Sequence, residues 1–291
     1  MNVIETRKLT KYYGKSRGII DVDIEIGKGE FFGFIGPNGA GKSTTIRTLL
    51  GLISPTDGEA EVFGLNVNNN SQNILKRVGY LPSEVNYYRG MRAREIINLS
   101  AKLRGGCSES EIKALCERFE LDTSKKVEQL SLGNRKKVGI VCALAHRPDL
   151  YILDEPTSGL DPLMQNEFYS VLEERCAEGA TVFLSSHILS EVGKHCKRAA
   201  VIREGKILKV DSVDKLGHTG VKRVVLKGVG ALPEIENISN VKLEGDTASF
   251  LYGAGASALS KTLASLSFDD FTVTDPELDE VFMHFYREEE K

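Results

Sequence analysis

The chain has 291 residues, 41% of them hydrophobic and 27% charged, with a formal net charge of −3. That length suits one large domain plus a small one, because single cores tend to split near ~250–300 residues, and the mixture is that of a folded protein rather than a disordered one. The slight negative charge argues against a protein that wraps nucleic acid, and no apolar run approaches the ~18 residues of a membrane helix.

The N-terminus shows no signal-peptide pattern. Cys107, Cys116, Cys142, Cys176 and Cys196 are odd in number and lack C-x-x-C spacing, so they read as reduced thiols rather than a disulfide or zinc framework.

The first strong element is an apolar strand at Phe31–Ile35. It runs into Gly36, Pro37, Asn38, Gly39, Ala40, Gly41, Lys42, Ser43 and Thr44, which fit the G-x-x-x-x-G-K-[ST] pattern at every fixed position. Glycines let the backbone close around a phosphate, and the N–H groups of the turn and of the following helix supply concentrated positive potential. Lys42 is expected to reach β- and γ-phosphates, and the Ser43 hydroxyl to ligate Mg²⁺. Further along, Asn68, Asn69 and Asn70 read as a solvated turn. From about 85 to 146 the texture becomes charged and helix-favouring, as in Arg94–Leu103 and Glu109–Leu121, which predicts a helical insertion.

A second strand at Leu150–Leu153 ends in Asp154 and Glu155. Ligands gather at the carboxyl ends of strands in open parallel sheets, so both carboxylates are expected beside the phosphate loop. Phosphoryl transfer needs a carboxylate near Mg²⁺ and a group that positions the attacking water; Asp154 fits the first role and Glu155 the second, as general base. Strand candidates at Thr181–Leu184 and Ala199–Ile202, spaced by helix-length stretches, complete a parallel α/β sheet. Near residues 215–220 this rhythm stops. Short strands at Val221–Leu226 and Ala248–Tyr252, with a helix around Ala256–Leu266, predict a small α+β appendage. The expected domains are therefore 1–214 and 215–291.

Residues 1–214 resemble the nucleotide-binding subunit of an ATP-binding cassette (ABC) transporter. The resemblance rests on an ordered series: the phosphate loop, Leu130-Ser131-Leu132-Gly133-Asn134 as the family signature, the strand ending in Asp154-Glu155, Ser158-Gly159-Leu160-Asp161 as the D-loop, and Ser186-His187 as the switch-histidine loop. It implies a phosphate-loop NTPase fold with an ABC-type β-subdomain, binding ATP and Mg²⁺. It also implies that two cassettes, most simply a homodimer, close around two ATP. Ser131, Leu132, Gly133 and Asn134 would then face the γ-phosphate in trans from a helix starting near Asn134. By the same resemblance His187 holds the γ-phosphate and orients water with Glu155, and Tyr13 stacks on adenine, with Tyr12 the competitor. Asp161 bridges the cassettes, caps the following helix, or does both.

Two departures stand out. The glutamine expected after Gly79-Tyr80-Leu81-Pro82 is replaced by Ser83 and Glu84, so either Ser83 or Glu84 takes over its contact with Mg²⁺. Leu132 and Asn134 replace the usual glycine and glutamine of the signature. These variants, the segment Tyr87–Glu95 and the tail Asp275–Phe282 resemble bacitracin-export-like subunits of the ABC-2 branch. The implied partner is a separate integral membrane permease, with this chain peripheral on the cytoplasmic face of the membrane, no nucleic acid involved, and a drug, peptide or lipid as cargo. The alternatives are a soluble ABC ATPase without a transport role, or an ATP-binding module that does not hydrolyse.

Overall fold

The structure is a computed structural model that describes residues 1–217, 221–229 and 235–274. The chain divides into two compact units, Met1–His187 with Lys194–Val210, and Ile188–Gly193 with the chain from Asp211 onward. The tail motif Asp275–Phe282 lies outside the described residues.

The first unit opens with β1 (Asn2–Tyr13), β2 (Ser16–Gly27), β3 (Phe31–Ile35), α1 (Lys42–Leu49), β4 (Asp57–Val62), β5 (Leu65–Asn66), α2 (Val67–Lys76) and β6 (Val78–Leu81). Three helices follow, α3 (Ala93–Leu103), α4 (Glu109–Arg118) and α5 (Leu132–Leu144). The chain then runs through β7 (Leu150–Asp154), α6 (Pro162–Ala177), β8 (Thr181–Ser186), α7 (Leu189–His195), β9 (Arg198–Arg203) and β10 (Lys206–Ser212). One sheet has the order β2-β1-β4-β5, antiparallel throughout. The other has the order β10-β9-β3-β8-β7-β6, and its pairings from β9 to β6 are parallel.

Every residue of β3, β7 and β8 is buried, which is why these segments read as unbroken apolar runs: a parallel sheet is covered on both faces. Phe32, Phe34, Ile152 and Phe183 are fully buried in the shared core, each side chain worth roughly 1.5–3 kcal/mol. β1, β2 and β4 escaped the reading of local apolar runs. Their signal was alternation, with Val22, Ile24 and Ile26 buried between Asp21, Asp23 and Glu25.

The asparagine run is a correction. Asn68–Asn70 begins α2 rather than a solvated turn, because the Asn66 side chain accepts from Asn68 N at 3.0 Å and Val67 and Ile74 anchor the helix in the core. The helix does kink at Asn70, where φ is −127°.

The second unit contains the first part of α7, then α8 (Val213–Gly217), β11 (Lys222–Lys227), β12 (Ile238–Glu244), β13 (Thr247–Tyr252), α9 (Ala256–Ala264) and β14 (Asp270–Thr274). Its sheet, ordered β12-β13-β11-β14, is antiparallel. Val224, Leu226, Ala248, Phe250 and Tyr252 pack with Leu259 of α9 into a small core of its own.

Candidate active site

The phosphate loop is shaped by what its glycines exclude. A Cβ on Gly36 would stand 2.3 Å from the Ile202 carbonyl oxygen, and Gly41 combines φ +111° with a would-be Cβ 2.8 Å from Ile19. No side chain fits either position. The loop is pinned from outside by Gly205 N donating to the Ala40 carbonyl at 2.8 Å. Helix α1 starts directly after Gly41, aiming its free N–H groups along the loop. Lys42 is buried, and its Nζ donates to the carbonyls of Gly36 at 2.6 Å and Pro37 at 3.2 Å.

Strand register brings the other groups to the same edge. Ile35 pairs with Ser186 and Asp154 with Ser185, so the carboxyl ends of β3, β7 and β8 lie side by side. Asp154 is buried and accepts from Ser43 Oγ at 2.7 Å and from Ser185 Oγ at 3.1 Å. Glu155 follows with φ +48°, a backbone conformation rare outside glycine. Its N–H donates to the Ser185 carbonyl at 3.0 Å, Oε1 lies 3.3 Å from Lys42 Nζ, and Oε2 lies 2.6 Å from His187 Nδ1. A cleft of about 260 Å³ opens there, lined by the phosphate loop with Arg17, Gly18, Ser83, Asp154 and Glu155.

Tyr13 ends β1, 45% exposed and so outside the core; a Cβ on neighbouring Gly18 would stand 3.1 Å from its ring and 3.2 Å from Thr44. The ring therefore borders the phosphate loop, while Tyr12 pairs with Arg17 in the hairpin. Ser83 lines the cleft and Glu84 does not.

The signature helix starts two residues earlier than expected. Ser131 is its N-cap, with Oγ accepting from Asn134 N at 3.3 Å, so α5 begins at Leu132 and Asn134 lies in its first turn. Ser131 keeps its hydroxyl hydrogen for another acceptor. Gly133 is needed for close approach, since a Cβ would meet the Gly159 carbonyl at 2.8 Å, and Leu132 points out at 64% exposure. Signature and D-loop are thus in contact within one chain. Asp161 caps α6 by accepting from Met164 N at 3.0 Å.

Three residues at this edge escaped sequence reasoning: Arg17 and Ser185, and Lys136 from α5. Lys136 Nζ donates to the carbonyls of Pro82, Ser83 and Glu155 at 3.1, 2.9 and 3.1 Å. Burial pushes its pKa down to about 8, against the pull of the Asp154 and Glu155 charges. Among the described residues no group of three or more His, Cys, Asp or Glu side chains could hold a metal, and no helix is long and apolar enough to cross a membrane.

A glycine loop at a strand's end, a helix N-terminus behind it and a Ser–Asp pair in front define a phosphate-loop nucleoside triphosphatase. The ABC transporter family model matches residues 19–158. The bacitracin transport ATP-binding protein BcrA of Bacillus licheniformis is 41% identical over 220 residues, spanning 74% of this chain and 71% of that protein. BcrA of Enterococcus faecalis is 36% identical, covering 74% and 70%. A solved ATP-binding subunit of an ABC transporter superposes with a TM-score of 0.69 at 31% identity, covering 74% of this chain and 91% of that one. A bacterial ABC transporter cassette solved as a dimer gives 0.67 at 25%, covering 72% and 98%. The chain belongs to the ABC transporter family, as an ATP-binding subunit, and ATP hydrolysis coupled to transport is that family's activity.

Proposed function

We propose that this chain is the ATP-hydrolysing motor of an exporter, working as a pair of cassettes against a separate ABC-2-type membrane subunit on the cytoplasmic face of the membrane. The observation that carries the hydrolytic reading is Glu155 held between Lys42 and His187. A module that only bound ATP would not need that carboxylate aimed at the phosphate loop, and this disfavours the non-hydrolysing alternative. The exporter reading draws on the bacitracin transport relatives. A groove of about 520 Å³ between Val85, Asn86, Tyr87 and Arg89 on one side and Val127, Glu128 and Arg135 on the other offers the membrane subunit a seat beside the Ser83 loop.

In this reading the phosphate loop and α1 bind the β- and γ-phosphates, and Lys42 trades its two carbonyl partners for phosphate oxygens. Ser43 and Asp154 form a hard oxygen pair that fits Mg²⁺, a cation held by one or two protein ligands plus substrate phosphates, which would neutralise charge on the β- and γ-oxygens. Glu155 takes the proton of the attacking water, and His187 fixes the γ-phosphate and the Glu155 carboxylate together. Tyr13 stacks on adenine; Ser131, Gly133 and the α5 N-terminus serve the ATP of the opposite cassette, with Leu132 and Asn134 flanking them. Ser83 lines the cleft wall, from which its hydroxyl would meet Mg²⁺ only through a bridging water.

Glu155→Gln tests the assignment. The variant is expected to bind ATP with wild-type affinity, to lose turnover by roughly 10²-fold or more, and to accumulate as an ATP-bound dimer in light scattering. Full turnover in this variant would sink the base assignment.

A further inference from the structure

The loop that lacks the glutamine is tied to Glu155 by a lysine from the signature helix. Lys136 is 2% exposed and lies one turn inside α5. An ammonium has three donors and no acceptor, and the carbonyls of Pro82, Ser83 and Glu155 use all three. Among the described residues no carboxylate forms an ion pair with it, so its direct partners are backbone atoms of two loops and its own charge is balanced only through space by Asp154 and Glu155. A saturated ammonium of this kind acts as a clamp.

The clamp falls on a backbone that needs one. Glu155 stands at φ +48°, which a non-glycine residue holds only where its surroundings over-determine it. Its N–H is fixed to Ser185 on one side and its C=O to Lys136 on the other. With a longer bond from Ser158 N–H to the same carbonyl at 3.4 Å, these contacts set the direction from which the carboxylate meets Lys42 and His187. A serine at position 83 is too short to reach across the cleft as a glutamine would, but its carbonyl is already in the hands of Lys136.

We propose that Lys136 is a positioning residue for ATP hydrolysis, fixing the Glu155 backbone and coupling it to the Pro82–Ser83 loop in place of the absent glutamine. This rests on the reading of Glu155 as general base. Displacement of the loop then reaches Glu155 through a single side chain, and the same side chain reports it to α5. The role is indirect: Lys136 orients the group that touches water.

The full chain is to be assayed for steady-state ATP turnover and for affinity toward a fluorescent ATP analogue, as wild type, Lys136→Met, Lys136→Gln and Glu155→Gln. Methionine keeps the length and removes every donor; glutamine returns two N–H donors without charge. Lys136→Met is expected to lower kcat by roughly 10- to 100-fold with nucleotide affinity within about threefold of wild type, and Lys136→Gln to recover part of it, to about three- to tenfold below wild type. Wild-type kcat in Lys136→Met, or affinity lost in step with kcat, overturns the proposal. Should Lys136→Met not fold, Lys136→Gln decides alone: a lowered kcat at intact affinity supports the clamp, and an unchanged kcat or a parallel loss of affinity overturns it. Glu155→Gln separates the two readings, because turnover in that variant removes the base assignment whatever Lys136 shows.

Discussion

Lys42 and Lys136 are both buried ammonium groups in the first turns of helices, and their partners give them opposite characters. Burying an ammonium costs several kcal/mol unless its donors are satisfied. Lys42 meets that cost with two carbonyls of its own loop and the Glu155 carboxylate, partners that phosphate oxygens can replace. Lys136 meets it with three carbonyls of the surrounding scaffold, which nothing in the cleft replaces. His146 follows the same physics with the opposite outcome. Its Nε2 lies 3.3 Å from the Val78 carbonyl, and burial, helped by the Arg104 charge, pushes its pKa down from 6.5 to about 4. Between those values the unfolded chain binds a proton that the folded chain refuses, so this residue favours unfolding as pH falls. On acidification from pH 7 to 5, wild type is expected to lose about 1–2 kcal/mol more unfolding free energy than His146→Gln, measured by urea denaturation. Equal losses in the two proteins would remove the effect.

At the scale of elements, two helix starts do double duty. Ser131 caps α5 while presenting a hydroxyl at the signature, and Asp161 caps α6 while standing in the D-loop. Asp161 lets capping and bridging be told apart. Asparagine caps as well as aspartate, so Asp161→Asn should leave the denaturation midpoint nearly unchanged, whereas Asp161→Ala should cost about 1 kcal/mol. If the carboxylate also bridges cassettes, Asp161→Asn will turn over ATP about tenfold more slowly despite its intact fold. A wild-type rate in that variant would leave capping as its whole role. The sharper element-level constraint is Gly133 against the Gly159 carbonyl, where the signature helix and D-loop approach too closely for a side chain. The resemblance in sequence placed Gly133 only among the residues facing the γ-phosphate, because the residue it must avoid lies 26 positions away.

For the whole molecule, the proposed service of the signature residues to a second cassette would make turnover a property of the pair. ATP hydrolysis per chain should therefore climb with protein concentration and level off once dimers dominate. Constant specific activity across a hundredfold dilution range would argue for a self-sufficient chain. The phosphate loop, the Asp154-Glu155 pair and the parallel strands were legible in the sequence, because their requirements are local: a glycine turn needs neighbours at fixed offsets, and a doubly covered strand is apolar at every position. The order of motifs added the family. The antiparallel sheet of β1, β2 and β4 was legible only as alternation, weaker because half of each strand is polar. Lys136, Ser185 and Arg17 were not legible at all. A lysine in the first turns of a helix normally reads as solvated, and nothing in the sequence near position 136 says that Pro82 and Glu155 fold back onto it. The sequence by itself determined which groups are the candidates for phosphate binding and which carry charge; only the tertiary structure decided which backbone atoms aim them, because hydrogen bonds between segments about twenty to over fifty residues apart depend on the packed sheet register rather than on any local pattern.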